Sequence, residues 1–160
     1  MSTSVSREHV EAFYRAYTVH DAAKVAGFLA DDVTWSVSGP VDVLPFCGVR
    51  HGKAAVIELV KRDLPALFVP ISFEPGAMLI DGDRVAALFR LTAHRRDDGR
   101  VISYRLAHFL RFRDDKIIEN VSLIDSFDAV EQVIGHSLDV HEGHLSHNGV
   151  STVPDDIVAI

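Results

Sequence analysis

The sequence predicts an α+β domain in which helices lie across a strongly curved, mixed or antiparallel sheet. Three observations carry that expectation. In the first part of the chain, apolar residues recur with the period of an amphipathic helix. From Val69 onward the period changes to two and stays there through four runs, "VPISFEPGAMLI", "RVAALFRLTAH", "VISYRLAHFLRF" and "KIIENVSLI". The runs are separated by "DGD", "RRDDGR" and "RDD", the polar punctuation of hairpins.

Taken in order, Val10, Phe13, Tyr14 and Tyr17 fall at i, i+3, i+4 and i+7 between Ser6 and about His20, the stripe of a first helix. Ser6 is its expected cap, and Glu8 stands near its positive end. Asp21 caps a second, shorter helix with Ala22, Val25, Phe28 and Leu29 on its buried side, ended by Asp31 and Asp32. "VTWSVS", Val33 to Ser38, alternates as a strand with Val33, Trp35 and Val37 facing one way. Gly39 to Gly52 holds three glycines and two prolines and reads as a loop. A third helix follows on Val56, Ile57, Leu59, Val60, Leu64 and Leu67, and Pro65 should kink or end it. Pro75-Gly76 marks a bulge or bend in the next strand, where a sheet can curve. "DSFDAVEQVIG" reads as a last short helix with Asp125 or Ser126 at its N-cap. Residues 1–135 therefore form one expected domain, and 136–160, which lose periodicity, an extended or partly flexible arm.

Composition bounds the function. At 160 residues the chain is one ordinary domain, 48% hydrophobic and 24% charged, as in soluble globular proteins. A formal net charge of −7 with scattered basic residues argues against a nucleic-acid partner. Cys47 is the only cysteine, and no stretch has the apolar core of a signal peptide or membrane span, so a cytoplasmic location is expected and no membrane partner. His141, His144 and His147 recur every third residue, but glycines break the segment and the i, i+4 spacing of a helical metal site is missing; no metal is expected. Without a glycine-rich phosphate loop, dinucleotide fingerprint or Gly-x-Ser-x-Gly elbow, no nucleotide cofactor or covalent serine chemistry is expected.

The order of elements, with "LADDVTW", "FCGVRHGKAAV" and the "H…F…DDKIIE…D" pattern of the last hairpin, resembles the SnoaL-like branch of the nuclear transport factor 2 superfamily. That superfamily includes ketosteroid isomerases, polyketide cyclases and limonene epoxide hydrolases. The resemblance covers roughly Arg7 to Gly135 and implies a cystatin-like, cone-shaped sheet wrapped by three N-terminal helices. It also implies an apolar pocket for a small hydrophobic molecule in the cone and a homodimer formed through the outer sheet face. A strongly curved sheet cannot be filled completely by its own side chains, which is compatible with such a pocket.

His108 matches the histidine of the cyclase pattern, and alternation places it with Tyr104, Leu106, Leu110 and Phe112 on the inward face. An imidazole there serves proton transfer, or is simply a buried histidine hydrogen-bonded to a neighbouring strand. The carboxylate that the cyclase pattern wants is replaced by Ser122. The ketosteroid isomerase base falls near Val37 and its oxyanion aspartate at Ala107, and the epoxide hydrolase Arg-x-Asp is absent from "LFRLTAH". Asp125 matches an aspartate common in the family and would orient His108, or it caps the last helix. The expected catalytic set is His108, Asp125, Tyr14 and Tyr104; the expected substrate-binding set is Tyr17, Trp35, His51, His94 and Ser122. The expected activity is cofactor-independent proton transfer of isomerase, dehydratase or cyclase type on a hydrophobic or carbonyl-bearing metabolite. The alternative is a non-catalytic ligand-binding or assembly module of the same fold.

Overall fold

Helix α1 (Arg7–Thr18) forms where the apolar stripe predicts it and buries Val10, Phe13, Tyr14 and Ala16. The Ser6 side chain accepts a hydrogen bond from His9 N, and Asp21 does the same for Lys24 N at the start of α2 (Ala22–Phe28), so both sequence-expected caps hold. These features come from a computed structural model that describes residues 4–138. The expected arm from 136 lies outside the described residues beyond 138, as do His141, His144 and His147.

Strand β1 (Leu29–Ser38) begins four residues before the expected start at Val33. Asp31 and Asp32 do not stop the chain; they belong to the strand, exposed beside its bulge, and Asp32 forks onto Arg113 at 2.8 and 3.0 Å. The glycine-rich segment read as loop ends in a short edge strand, β2 (Gly48–His51), antiparallel to β1. Four residues are too few to show a period, which is why alternation missed it. The third helical region is α3 (Lys53–Glu58), a π-helical turn (Leu59–Asp63) and α4 (Leu64–Leu67). Leu64 N donates to Leu59 O, five residues back, and Pro65, which has no N–H to donate, follows at once. The wider turn accommodates the proline ring that an α-helical turn would exclude.

The four expected strands are β3 (Phe68–Asp81), β4 (Arg84–Arg95), β5 (Val101–Arg113) and β6 (Lys116–Ile124), and α5 (Ser126–Ile134) closes the described chain. The sheet runs β2-β1-β6-β5-β4-β3, antiparallel except for the parallel β1–β6 pair. Register shifts interrupt β3 at Pro70/Ser72 and at Pro75/Met78, the latter spanning the expected Pro75-Gly76 bend. Such bulges strengthen local twist and let the sheet curl.

Curling divides the sheet into two chemically distinct faces. Inward, Ala87, His108, Ser122 and Val37 form one cross-strand row, and Val85, Leu110, Asn120 and Trp35 another. Outward, Leu79–Ala86–Phe109–Val121 and Leu88–Ala107–Leu123 form two apolar rows. Charged rows, Asp81–Arg84–Arg111–Glu119 and Glu74–Arg90–Arg105, flank them. Phe109 and Leu79 are 47% and 71% exposed in the single chain, so this face is the part of the sheet that folding leaves uncovered.

The β5–β6 hairpin turns on Asp114 and Asp115, at φ 50° and 58°, the positive values of a two-residue primed turn. Glycine adopts this conformation without a Cβ clash. Asp115→Gly should therefore stabilise the fold by about 0.5–1 kcal/mol, whereas Asp115→Val, β-branched in the same conformation, should cost about 1–2 kcal/mol. Urea unfolding midpoints of the two variants against the parent check both signs.

Candidate functional site

The inner face of β4, β5 and β6 meets α1, the π-helical turn and α4 around a cavity of about 50 Å³. Its polar lining is Tyr17, Thr18, His20, Tyr104, His108 and Ser122, and among the described residues no Asp, Glu, Lys or Arg lines it. That volume admits a few water-sized groups, well below the roughly 300 Å³ of an ordinary ligand pocket. The deep pocket implied by the resemblance is thus largely filled, with Phe46, Leu59, Phe68 and Phe73 reaching into it. Phe46 is brought there by Arg50, whose guanidinium donates to Phe46 O at 2.8 Å and to Asp63 Oδ2 at 3.2 Å, tying the 39–47 loop to the π-helical turn.

His108 sits in the middle of β5, 1% exposed, opposite Ser122 on one side and Ala87 on the other. Its Nδ1 finds no hydrogen-bond partner among the described residues, so the reading of a satisfied core histidine does not hold. Burial alone lowers its pKa to about 4, which leaves the imidazole neutral at pH 7. Asn120 is fully buried two residues from Ser122, with Nδ2 donating to Ser122 Oγ at 2.8 Å and to Ser36 O at 3.3 Å, while its Oδ1 has no partner among the described residues. Burial pushes the Tyr104 and Tyr17 hydroxyls well above the usual phenol range, so both remain protonated donors.

Of the residues expected from sequence, Tyr17, Tyr104, His108 and Ser122 share the cavity. Tyr14 stacks on His108 with ring centroids 5.7 Å apart but lines the groove between α1 and β3 instead, its hydroxyl buried without a partner among the described residues. Trp35 is fully buried behind the cavity against Phe13 and Tyr17, so it packs α1 onto the sheet and does not reach a ligand. Asp125 stands at the N-cap position of α5, yet its carboxylate caps nothing; it lies 3.6 Å from Arg105 on the outer face. Asp125 thus holds the N-cap position without a side-chain cap, and it does not reach His108: its N–H donates to Arg105 O at 3.0 Å, continuing the β5–β6 pairing one residue past Ile124, so alternation turns its side chain to the outer face. His51 lies exposed on edge strand β2, its Nδ1 3.5 Å from Thr34 Oγ1, and His94 is exposed with Nδ1 bonded to Gly99 O at 3.0 Å in the β4–β5 turn. Both are absent from the cavity lining.

Sequence reasoning missed three polar groups: Thr18, whose Oγ1 donates to Tyr14 O at 2.7 Å at the end of α1, Asn120 and His20. Asn120 follows from extending the inward set of β6 back from Ser122, a step that alternation permits. His20 lines the cavity from the α1–α2 turn at φ 56°, a left-handed value unusual outside glycine, and burial, then Arg96, lowers its pKa. No periodic signal marks a residue between helices.

The depressed pKa of His108 has a measurable consequence. Below the unfolded value of 6.5 the unfolded chain takes up a proton that the folded chain refuses until about pH 4. Its contribution to stability is thus present above pH 6.5 and lost as pH falls toward 4, amounting to about 3 kcal/mol by linkage. Between pH 7 and 4 the parent should lose about that much more stability than His108→Leu, measured by urea unfolding at each pH.

The family model described as a SnoaL-like domain matches residues 10–120. A candidate isomerase from Rhodopseudomonas palustris superposes with a TM-score of 0.72 at 28% identity, over 79% of this chain and 93% of its own. TerC, co-crystallised with polyporic acid, shares the fold at 20% identity and TM-score 0.69, over 80% and 96% of the two chains. So does a ketosteroid isomerase-like protein from Catenulispora acidiphila, in complex with trimethylamine, at 17% identity and TM-score 0.68, over 82% and 95%. No curated protein gives a significant match. On the family match across most of the folded region, the chain belongs to the SnoaL-like domain family.

Proposed function

We propose that the protein is a cofactor-independent proton-transfer enzyme, of isomerase, dehydratase or cyclase type, acting on small neutral carbonyl compounds. The observation that carries this reading is the buried His108 Nδ1, without a partner among the described residues, beside a cavity that none of their charged side chains lines. A neutral imidazole with one free acceptor nitrogen can take a proton from carbon α to a carbonyl. Tyr104, held protonated by burial, would donate to the enolate oxygen that develops. The resulting imidazolium would be stabilised by the enolate next to it, which offsets the apolar surroundings that make free His108 a weak base. Return of the proton to another carbon gives isomerisation; loss of a β-hydroxyl gives dehydration.

The second reading is a non-catalytic ligand-binding or assembly module. It is favoured by Val37 and Ser122, which line the cavity where the catalytic patterns of the superfamily place acids. Exchange of α-protons for deuterium in D₂O, followed by proton NMR on a panel of small cyclic ketones and β,γ-enones, separates the two. The enzyme reading expects exchange that falls at least ~100-fold in His108→Leu and about 10-fold or more in Tyr104→Phe, with Asp125→Asn close to the parent. Equal rates in the parent and His108→Leu would leave only the binding module.

The same proposal includes a homodimer through the outer sheet face, supported by the two apolar rows between charged rims. A cytoplasmic setting suits the lone, buried Cys47, whose thiol burial pushes up to about 11. Among the described residues no helix is long and apolar enough to cross a membrane. Placing a carboxylate in the centre of the apolar rows, Phe109→Glu, should convert the dimer to monomer in sedimentation velocity.

A further inference from the structure

The inner cavity is bordered by a second, larger hollow. Between α1 and β3 runs a groove of about 770 Å³ lined by Tyr14, Val19, Pro75, Met78 and Phe89, with Arg7, Glu11 and Arg15 on its rim. Phe73 and Thr18 line both spaces. The wall between them is a cluster of four rings, Tyr14, Phe73, Phe89 and His108, in which every pair of centroids lies between 4.4 and 6.4 Å. Tyr14, Phe89 and His108 are buried at 6%, 4% and 1% exposure, whereas Phe73 is only partly buried.

Phe73 is also the ring on the least regular backbone. It belongs to the short run Ser72–Pro75 of β3, bounded on each side by a register shift. Bulges interrupt the ladder and weaken the coupling of such a run to its neighbours. Unpartnered polar atoms stand on either side of the wall: His108 Nδ1 beside the cavity, and the Tyr14 hydroxyl on the helix that forms the groove.

The geometry points to one bipartite ligand site divided by Phe73, which takes an elongated, uncharged molecule with a polar head at His108 and an apolar tail in the α1–β3 groove. The head is uncharged because, among the described residues, no ionic side chain lines the inner cavity to offset the cost of burying a charge. The tail is apolar because groove walls of Val19, Met78, Phe73 and Phe89 reward apolar area. The ligand is elongated because about 50 Å³ holds only a head, while the adjoining groove is the size of an ordinary ligand pocket. Displacement of Phe73 joins the two spaces. The inference rests on the proposed role of His108 only for the head.

Phenol, 4-propylphenol and 4-heptylphenol, all uncharged at pH 7, test it with the full chain. Calorimetry gives the dissociation constants, and Met78 carries a methyl reporter inside the groove for carbon-13 NMR. Affinity should rise about fourfold per buried methylene, the Met78 methyl should shift with 4-heptylphenol and not with phenol, and Phe73→Trp should weaken the long ligand at least ~10-fold while sparing phenol. Val19→Glu, at an exposed position on the groove wall, should do the same and guards against a folding defect in the Phe73 variant. Phenol binding that is lost in His108→Leu, but with affinity independent of chain length and a silent Met78, overturns the bipartite site alone. Length dependence and Met78 shifts unchanged in His108→Leu overturn the role of His108 and leave the groove. No binding of any of the three overturns both.

Discussion

The constraint on which the rest of the structure depends is that the curled sheet has a concave face from which water is largely removed. Everything that points inward is stripped of solvent, whether apolar or not. Most inward positions meet that demand with Val, Leu, Phe or Trp, and their burial holds α1 and the π-helical region against the sheet. His108, Asn120, Trp35 and Tyr14 do not meet it fully, since each keeps a buried polar atom without a partner among the described residues. A group of this kind costs about 1–3 kcal/mol, so several together use up much of the 5–15 kcal/mol by which a domain is stable. Polar groups retained at such cost are what the proposed function accounts for.

The elements around the cavity are held by particular contacts. Phe13 reaches Tyr14, Tyr17, Phe28 and Trp35, joining α1 to α2 and to β1 through one aromatic network. Arg50 satisfies loop carbonyls that would otherwise be left open and anchors them to Asp63. The π-helical turn lets the chain continue through Pro65 into β3 without breaking the wall that Leu59 and Leu64 supply. Rigidity on these sides contrasts with β3, whose two register shifts bracket Phe73. The one partly exposed ring of the aromatic wall therefore lies on the strand that two register shifts interrupt.

Electrostatics separates the two faces of the sheet. Ion pairs such as Arg111–Glu119 and Arg113–Asp32 lie outside, half-exposed, where water screens them and their contribution is small. Among the described residues, no Asp, Glu, Lys or Arg lines the inner cavity. His108 is neutral there because burial disfavours its protonated form, and Tyr17 and Tyr104 stay protonated for the same reason. Chemistry in such a cavity is that of neutral hydrogen-bonding groups, which act more strongly in a low-dielectric setting than in water.

Periodicity reports which way a side chain points along its own strand or helix, and that much was legible in the chain. Alternation along "VISYRLAHFLRF" placed Tyr104 and His108 inward and the arginines outward, and the caps at Ser6 and Asp21 were readable because capping is local. Asp125 faces outward because its N–H still pairs with Arg105 O, and the alternation that turns Ser122 and Ile124 inward sets its carboxylate beside Arg105, twenty residues away in sequence and 3.6 Å away in space. His20 and the four-residue β2 carry no period at all, and Asn120 was left out although its alternation was available. The sequence by itself determined most of the secondary elements, the curved α+β layout and most of the inward set, since these follow from local dihedral preferences and from burial on one face. Tertiary structure alone decided that Phe73 closes the cavity against Tyr14, Phe89 and His108, and that Tyr14 opens onto a groove instead, because contacts between distant segments depend on how far the sheet curls and where the helices land on it.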